Sequence, residues 1–177
     1  MRVLLFILLN LFFYNLNHTF SQSNCNISEN LISWGFKISE KEREIDLVIV
    51  HSTYYANSPD SFSVKGVLKQ FKQYGVSAHY LIDRSGKIFH LVAEQNVSFH
   101  AGKSKLPNGR ENINTNSIGI EVITTKDSKP TLAQYQALNC LLKDIKSRYK
   151  ISYIGGHSDI APDRKSDPWN FDWSQIR

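Results

Sequence analysis

Cysteine is scarce in this chain: two residues in 177, Cys25 and Cys140. A disulfide framework of the kind that staples small secreted domains is therefore not indicated. The two either pair with each other or stay apart, with Cys140 as a small buried thiol among Leu138, Leu141 and Leu142. There is no solenoid-like repeat, heptad array or collagen period, which excludes repeat and fibrous architectures. No basic cluster interleaved with aromatics marks a nucleic-acid reader, and no nucleic-acid partner is expected. Lys65, Lys69 and Lys72, like Lys143, Lys146 and Lys150, are spaced as solvated helix faces. The formal net charge is only +5, a bias toward anionic partners and no more. What remains is ordinary globular composition, 41% hydrophobic and 21% charged, at a length that suits one domain.

The first residues stand apart. Arg2 is the sole charge before an apolar run from Val3 to Tyr14, and a polar stretch from Asn15 to Ser23 follows. Thr19 and Ser21 are small residues three and one before a cut after Ser21. That is the three-part pattern of a secretory signal peptide over residues 1–21, and the run is too short for a stable membrane span. An exported protein, periplasmic or secreted and monomeric, is the expectation. Residues 22–44 read as a lead-in segment, with Trp34 and Phe36 as anchors, and residues 45–177 as the functional domain.

Within that domain Asp46 to His51 is a continuous β-branched run, the signature of a strand buried on both faces. Val64, Val67, Leu68 and Phe71 recur at helical spacing, and Gly75 closes the helix. Segments 78–82 and 87–92 flank Asp83-Arg84-Ser85-Gly86 and predict a hairpin. Residues 93–116 form a long polar loop, and loops of that length are usually functional. A strand over 117–123 follows. Next comes a helix opened by the capping spacing of Thr131 and Gln134, with Leu132, Tyr135, Leu138, Leu142, Ile145 and Tyr149 as its apolar face. A short strand, 151–154, leads through two glycines to His157, and the tail beyond Ser158 reads as loop. The fold class is α/β: one mixed central sheet flanked by helices.

Three candidate metal ligands occupy comparable places. His51 ends one strand, His157 follows another, and Asp167 lies in a proline-bounded loop. Zinc hydrolases use three protein ligands and keep a fourth position open, a count that two imidazoles and one carboxylate meet. The words around these residues carry a resemblance. Val48-Ile49-Val50-His51-Ser52-Thr53, Ser77-Ala78-His79-Tyr80-Leu81-Ile82, Phe99-His100-Ala101-Gly102, Ser117-Ile118-Gly119-Ile120-Glu121 and the stretch from Gly156 to Pro168 occur in this order. Together they resemble the zinc-dependent N-acetylmuramoyl-L-alanine amidase family over roughly residues 45–175. The resemblance is nearest to its anhydro-muropeptide branch, and more distant to phage amidase lysins and peptidoglycan recognition proteins.

The resemblance implies hydrolysis of the amide between N-acetylmuramic acid and L-alanine in peptidoglycan or muropeptides. It implies one Zn2+ held by His51, His157 and Asp167, with Glu121 as the catalytic carboxylate and Lys165 as the cation near the scissile carbonyl. His100 and Asn114 match positions near the substrate. His79 reads either as a partner behind the metal ligands or as a strand packing residue; His90 carries no role. Trp169 and Trp173 read as hydrophobic lids over the core. Asn26 and Asn96 head glycosylation-type triplets, which a bacterial reading leaves idle. Two other readings share these residues: a non-catalytic peptidoglycan-binding receptor and a zinc peptidase cutting within the stem peptide. An export signal departs from the cytosolic relatives and leaves open whether intact murein or anhydro-muropeptides are the substrate.

Overall fold

The computed structural model describes residues 25–177, so the expected signal peptide over residues 1–21 lies outside the described residues. In chain order the elements are β1 (Ile27–Glu29), β2 (Phe36–Lys37), β3 (Leu47–Thr53), α1 (Val64–Tyr74), β4 (Tyr80–Ile82), β5 (Ile88–His90) and β6 (Val97–Ser98). There follow α2 (Ile113–Asn116), β7 (Ser117–Ile123), α3 (Leu132–Arg148), β8 (Tyr153–Gly156) and α4 (His157–Ile160). A 3-10 turn closes the tail at Trp173–Gln175. The main sheet has six strands in the order β1-β5-β4-β7-β3-β8, and β2 pairs with β6 alone. All neighbours in the main sheet are parallel except the β4–β5 hairpin, which gives the expected mixed sheet.

β3 lies between β7 and β8 with all seven of its residues buried, as its β-branched run demands. Its two faces meet different partners. Val48 and Val50, with Ile118, Ile120 and Val122 of β7, pack under Leu138, Leu141, Leu142 and Ile145 of α3. On the other face Leu47 and Ile49 lie under Ala101, Ile113 and Ile160, while Leu81 and Ile123 lie under Val67 and Phe71 of α1. Between those two smaller cores the same face carries His51 and, in register beside it, Glu121.

Local chemistry sets the helix ends. The Ser63 hydroxyl caps α1 by accepting from the Gly66 N–H, and Gly75 closes it in the left-handed region at φ 64°. α3 opens on the predicted box: Gln134 N–H donates to Thr131 Oγ1 at 3.1 Å, and Thr131 N–H to Gln134 Oε1 at 2.9 Å. Leu132 departs from the expected stripe. It is 68% exposed, because at about 100° per residue it sits roughly a quarter-turn or more from the centre of the face that Leu138 and Leu142 define.

Three further differences concern the chain's irregular parts. Gly155 and Gly156, expected as a linker, are strand residues paired with Ile49 and Val50. A side chain at Gly156 would lie 2.5 Å from the Pro168 ring, so the glycine lets the Asp167 loop approach the sheet. The 93–116 stretch holds β6 and the single turn α2. Residues expected as a lead-in are built into the fold: β1 adds an edge strand beside β5, and Cys25 is disulfide-bonded to Cys140 on α3, 115 residues away. Among the described residues no helix is long and apolar enough to cross a membrane.

Candidate metal centre

Parallel strands deliver the site. His51 lies near the carboxyl end of β3, Glu121 is its register partner on β7, and His157 follows directly on β8. Clefts at the carboxyl ends of parallel strands are where α/β folds place ligands. Asp167 comes from the tail, held there by the Ser158 N–H donating to its backbone oxygen at 2.7 Å.

The three candidate ligands are all buried, at 1%, 3% and 6% exposure for His51, His157 and Asp167. His51 Nδ1 lies 2.9 Å from His157 Nδ1, and Asp167 Oδ2 lies 3.4 and 3.3 Å from those two atoms. A tetrahedral zinc with bonds of about 2.0–2.1 Å separates its ligands by about 3.3–3.4 Å, so this triangle is close to the size such an ion needs. The His157 Nε2–H donates to the Ala101 carbonyl at 3.0 Å, which leaves the Nδ1 lone pair facing the triangle. Burial lowers the His51 pKa to about 4, partly opposed by Asp167. Burial alone would raise the Asp167 carboxyl, but its bonds to His157 and His51 hold it well below the usual carboxylate range. A deprotonated imidazole and an ionised carboxylate are what a cation requires, so the donor set fits a single metal ion.

Glu121 is set differently. Its Oε2 is buried and without a hydrogen-bond partner among the described residues. Burial first, and the nearby Asp167 charge second, push it up to about 8, with Lys165 pulling the other way. Lys165 itself is exposed at the rim, and both residues line a cavity of about 370 Å³ with Ser52, Gln70, Phe99 and Trp169. A wider cleft of about 1080 Å³ adjoins it, sharing Phe99 and Arg164 and running past Lys103, Lys105 and Leu106.

The structure brings His51, His157, Asp167, Glu121 and Lys165 together. His100 also lines the cavity, but both of its ring nitrogens are engaged by the protein, facing His51 and Ser117. Asn114 turns inward: its Oδ1 accepts from the His100 and Ala101 N–H groups at 3.2 and 2.8 Å and braces the histidine loop. His79 is fully buried; its Nδ1 accepts from the Gly119 N–H and its Nε2 faces the Asn96 carbonyl, so it ties β7 to the loop behind the site. Trp169 is not over the core. Its ring meets Tyr54 edge-on at 5.7 Å, with Lys126 over it, two residues beyond the candidate ligand Asp167 in sequence. Trp173 does cap the core edge, against Phe171.

Arg43 is the residue that sequence reasoning missed. Buried at 8% exposure, it donates to the carbonyls of Glu94, Asn96, Asn114, Thr115 and Ser117. One guanidinium thus pins two loops beneath His79 and His100. Apart from the His79 ring nitrogen, 3.1 Å away, its partners are backbone carbonyls, and these leave no signature in a sequence.

A mixed sheet with a buried two-histidine, one-aspartate group beside an unpartnered glutamate oxygen and a rim lysine defines the class: an α/β domain with a candidate single-metal site. The N-acetylmuramoyl-L-alanine amidase family model matches residues 41–170. Among curated proteins, the 1,6-anhydro-N-acetylmuramyl-L-alanine amidase AmpD of Escherichia coli (strain K12) is 44% identical over 105 residues. That match covers 58% of this chain and 57% of AmpD, so it spans little more than half the relative's length. A crystal structure of an AmpD derivative superposes with a TM-score of 0.72 at 32% identity, covering 84% of this chain and 92% of that one. E. coli AmiD, in complex with its substrate anhydro-N-acetylmuramic acid-L-Ala-D-γ-Glu-L-Lys, gives 0.65 at 30% identity, over 80% and 64%. This chain belongs to the N-acetylmuramoyl-L-alanine amidase family.

Proposed function

We propose that this protein hydrolyses the amide joining N-acetylmuramic acid, or its 1,6-anhydro form, to L-alanine in peptidoglycan or its fragments, with one zinc ion held by His51, His157 and Asp167. The observation that carries the reading is the ligand triangle lying beside an orphaned glutamate oxygen in a member of this family. When bound, zinc supplies Lewis acidity and lowers the pKa of a water to roughly 7. The chain's own groups supply the rest. Glu121 takes a proton from the attacking water and delivers it to the departing nitrogen, a task suited to a carboxyl poised near neutrality. Lys165, at the rim, offers a cation to the carbonyl oxygen as negative charge develops there. The carbon–nitrogen bond breaks to leave a lactyl carboxylate on the sugar and a free amine on L-alanine. The adjoining cleft, lined by Phe99, Arg164 and Lys103 among others, is of a size to hold a stem peptide.

We also propose that the protein is exported. The Cys25–Cys140 disulfide supports this, because such bonds persist in oxidising compartments. The test of the activity is digestion of murein and of anhydro-muropeptides by the purified protein, with chelator and with added zinc. Chelator-sensitive release of peptides bearing a new N-terminal L-alanine is the expected result. Peptides cut within the stem would make it a peptidase, and binding without any product would make it a receptor.

A further inference from the structure

Behind His51 runs a chain of hydrogen bonds that the hydrolytic steps do not use. Ser117 Oγ lies 2.6 Å from the Ile113 carbonyl oxygen and 3.0 Å from His100 Nε2. His100 Nδ1 lies 2.9 Å from His51 Nε2. A carbonyl only accepts, so at 2.6 Å the serine proton must point to Ile113, and the serine oxygen is left as an acceptor. His100 then carries its proton on Nε2 and presents the Nδ1 lone pair, which accepts the proton on His51 Nε2. The remaining lone pair of His51, on Nδ1, faces His157 and Asp167. Each proton position follows from the one before it, and the series starts at a backbone carbonyl that cannot change role.

We propose that Ser117 and His100 are a positioning pair that sets the tautomer of His51 and so presents its Nδ1 lone pair to the metal. The pair is built into one face of β7, where alternate residues point the same way. Ser117 receives the ring's Nε2–H, Gly119 leaves room for the ring, and Glu121 reaches the cavity. A Cβ at Gly119 would sit 2.4 Å from His100 Cγ, so the glycine is the seat of that ring. The Asn114 side chain accepts from the His100 N–H, and Arg43 in turn donates to the Asn114 carbonyl. Ser117 and His100 are both buried, and each ring nitrogen of His100 faces a protein partner.

The inference rests on the zinc site proposed above, and its test separates the two. Zinc affinity is measured by competition with a chromophoric chelator for wild type, Ser117→Ala, His100→Asn and the double variant. The asparagine carbonyl oxygen takes the place of His100 Nδ1 as acceptor and needs no serine behind it. Ser117→Ala is expected to weaken zinc binding about 10–100-fold in the wild-type background, as loss of a partner behind a ligating histidine does. In the His100→Asn background it is expected to cost nothing further. Equal losses in both backgrounds, or no loss in either, overturn the proposal. A second readout needs no variant: ring-nitrogen NMR of the zinc-free protein is expected to place the His100 proton on Nε2, and a proton on Nδ1 overturns it. Wild-type protein that binds no zinc would sink the metal site instead, and the NMR result would still decide the pair.

Discussion

The central strands present two faces that have been put to opposite uses. Toward α3, β3 and β7 offer Val48, Val50, Ile118, Ile120 and Val122, an unbroken aliphatic layer. Away from α3 the same two strands offer His51, Ser117, Gly119 and Glu121 between the residues of two smaller cores. The apolar face holds the strands in register; the polar face uses that register to put a candidate ligand beside a carboxylate. Because side chains alternate, neither role compromises the other. Stability and chemistry are therefore separable by a one-residue step along either strand.

That separation can be broken experimentally. The largest effect is expected at the ligands: His51→Ala or Asp167→Ala should abolish both zinc retention, read by metal analysis, and turnover. Next is Glu121→Gln, which should keep the metal while losing about 10²–10⁴ in rate. Wild-type rates in that variant would move the proton-transfer role elsewhere. One step along β7, Ile120→Ala should do the reverse, costing about 2–5 kcal/mol in denaturant unfolding while the rate per folded molecule is kept.

The smallest effect concerns Glu121 and pH in the zinc-free protein. Its folded pKa stands at about 8, above the ordinary 4.5, so the folded state holds a proton that the unfolded chain releases. The stability contributed by that proton is fully present below pH 4.5 and is lost as pH rises through 8. Relative to Glu121→Gln, zinc-free wild type should therefore lose stability between those limits. A gap that stays constant across the range would show that the carboxyl is not buried as described.

Much of this arrangement was legible in the residues. The β-branched run before His51, the helical spacing of α1 and the capping box of α3 each reflect a local physical rule, and each element formed where the rule put it. That His51, His157 and Asp167 come together was legible because they sit in long, ordered motifs. What escaped notice depends on distant backbone. Arg43 answers to carbonyls, the role of Asn114 is toward its own chain, and the glycines of β8 read as a linker until the strand beside them is known. The partner of Cys25 is 115 residues away, beyond the reach of any local pattern.

That bond has a consequence for what a protease can do to the molecule. Cys25 and Cys140 make the intervening chain a covalent ring that contains His51, Glu121 and the whole β4–β7 region. A single cut anywhere inside the ring leaves both pieces joined, so a nicked molecule remains one molecule. His157, Lys165 and Asp167 lie outside it. A cut between Cys140 and His157 divides the chain covalently in two, and the smaller piece carries away two of the three candidate ligands.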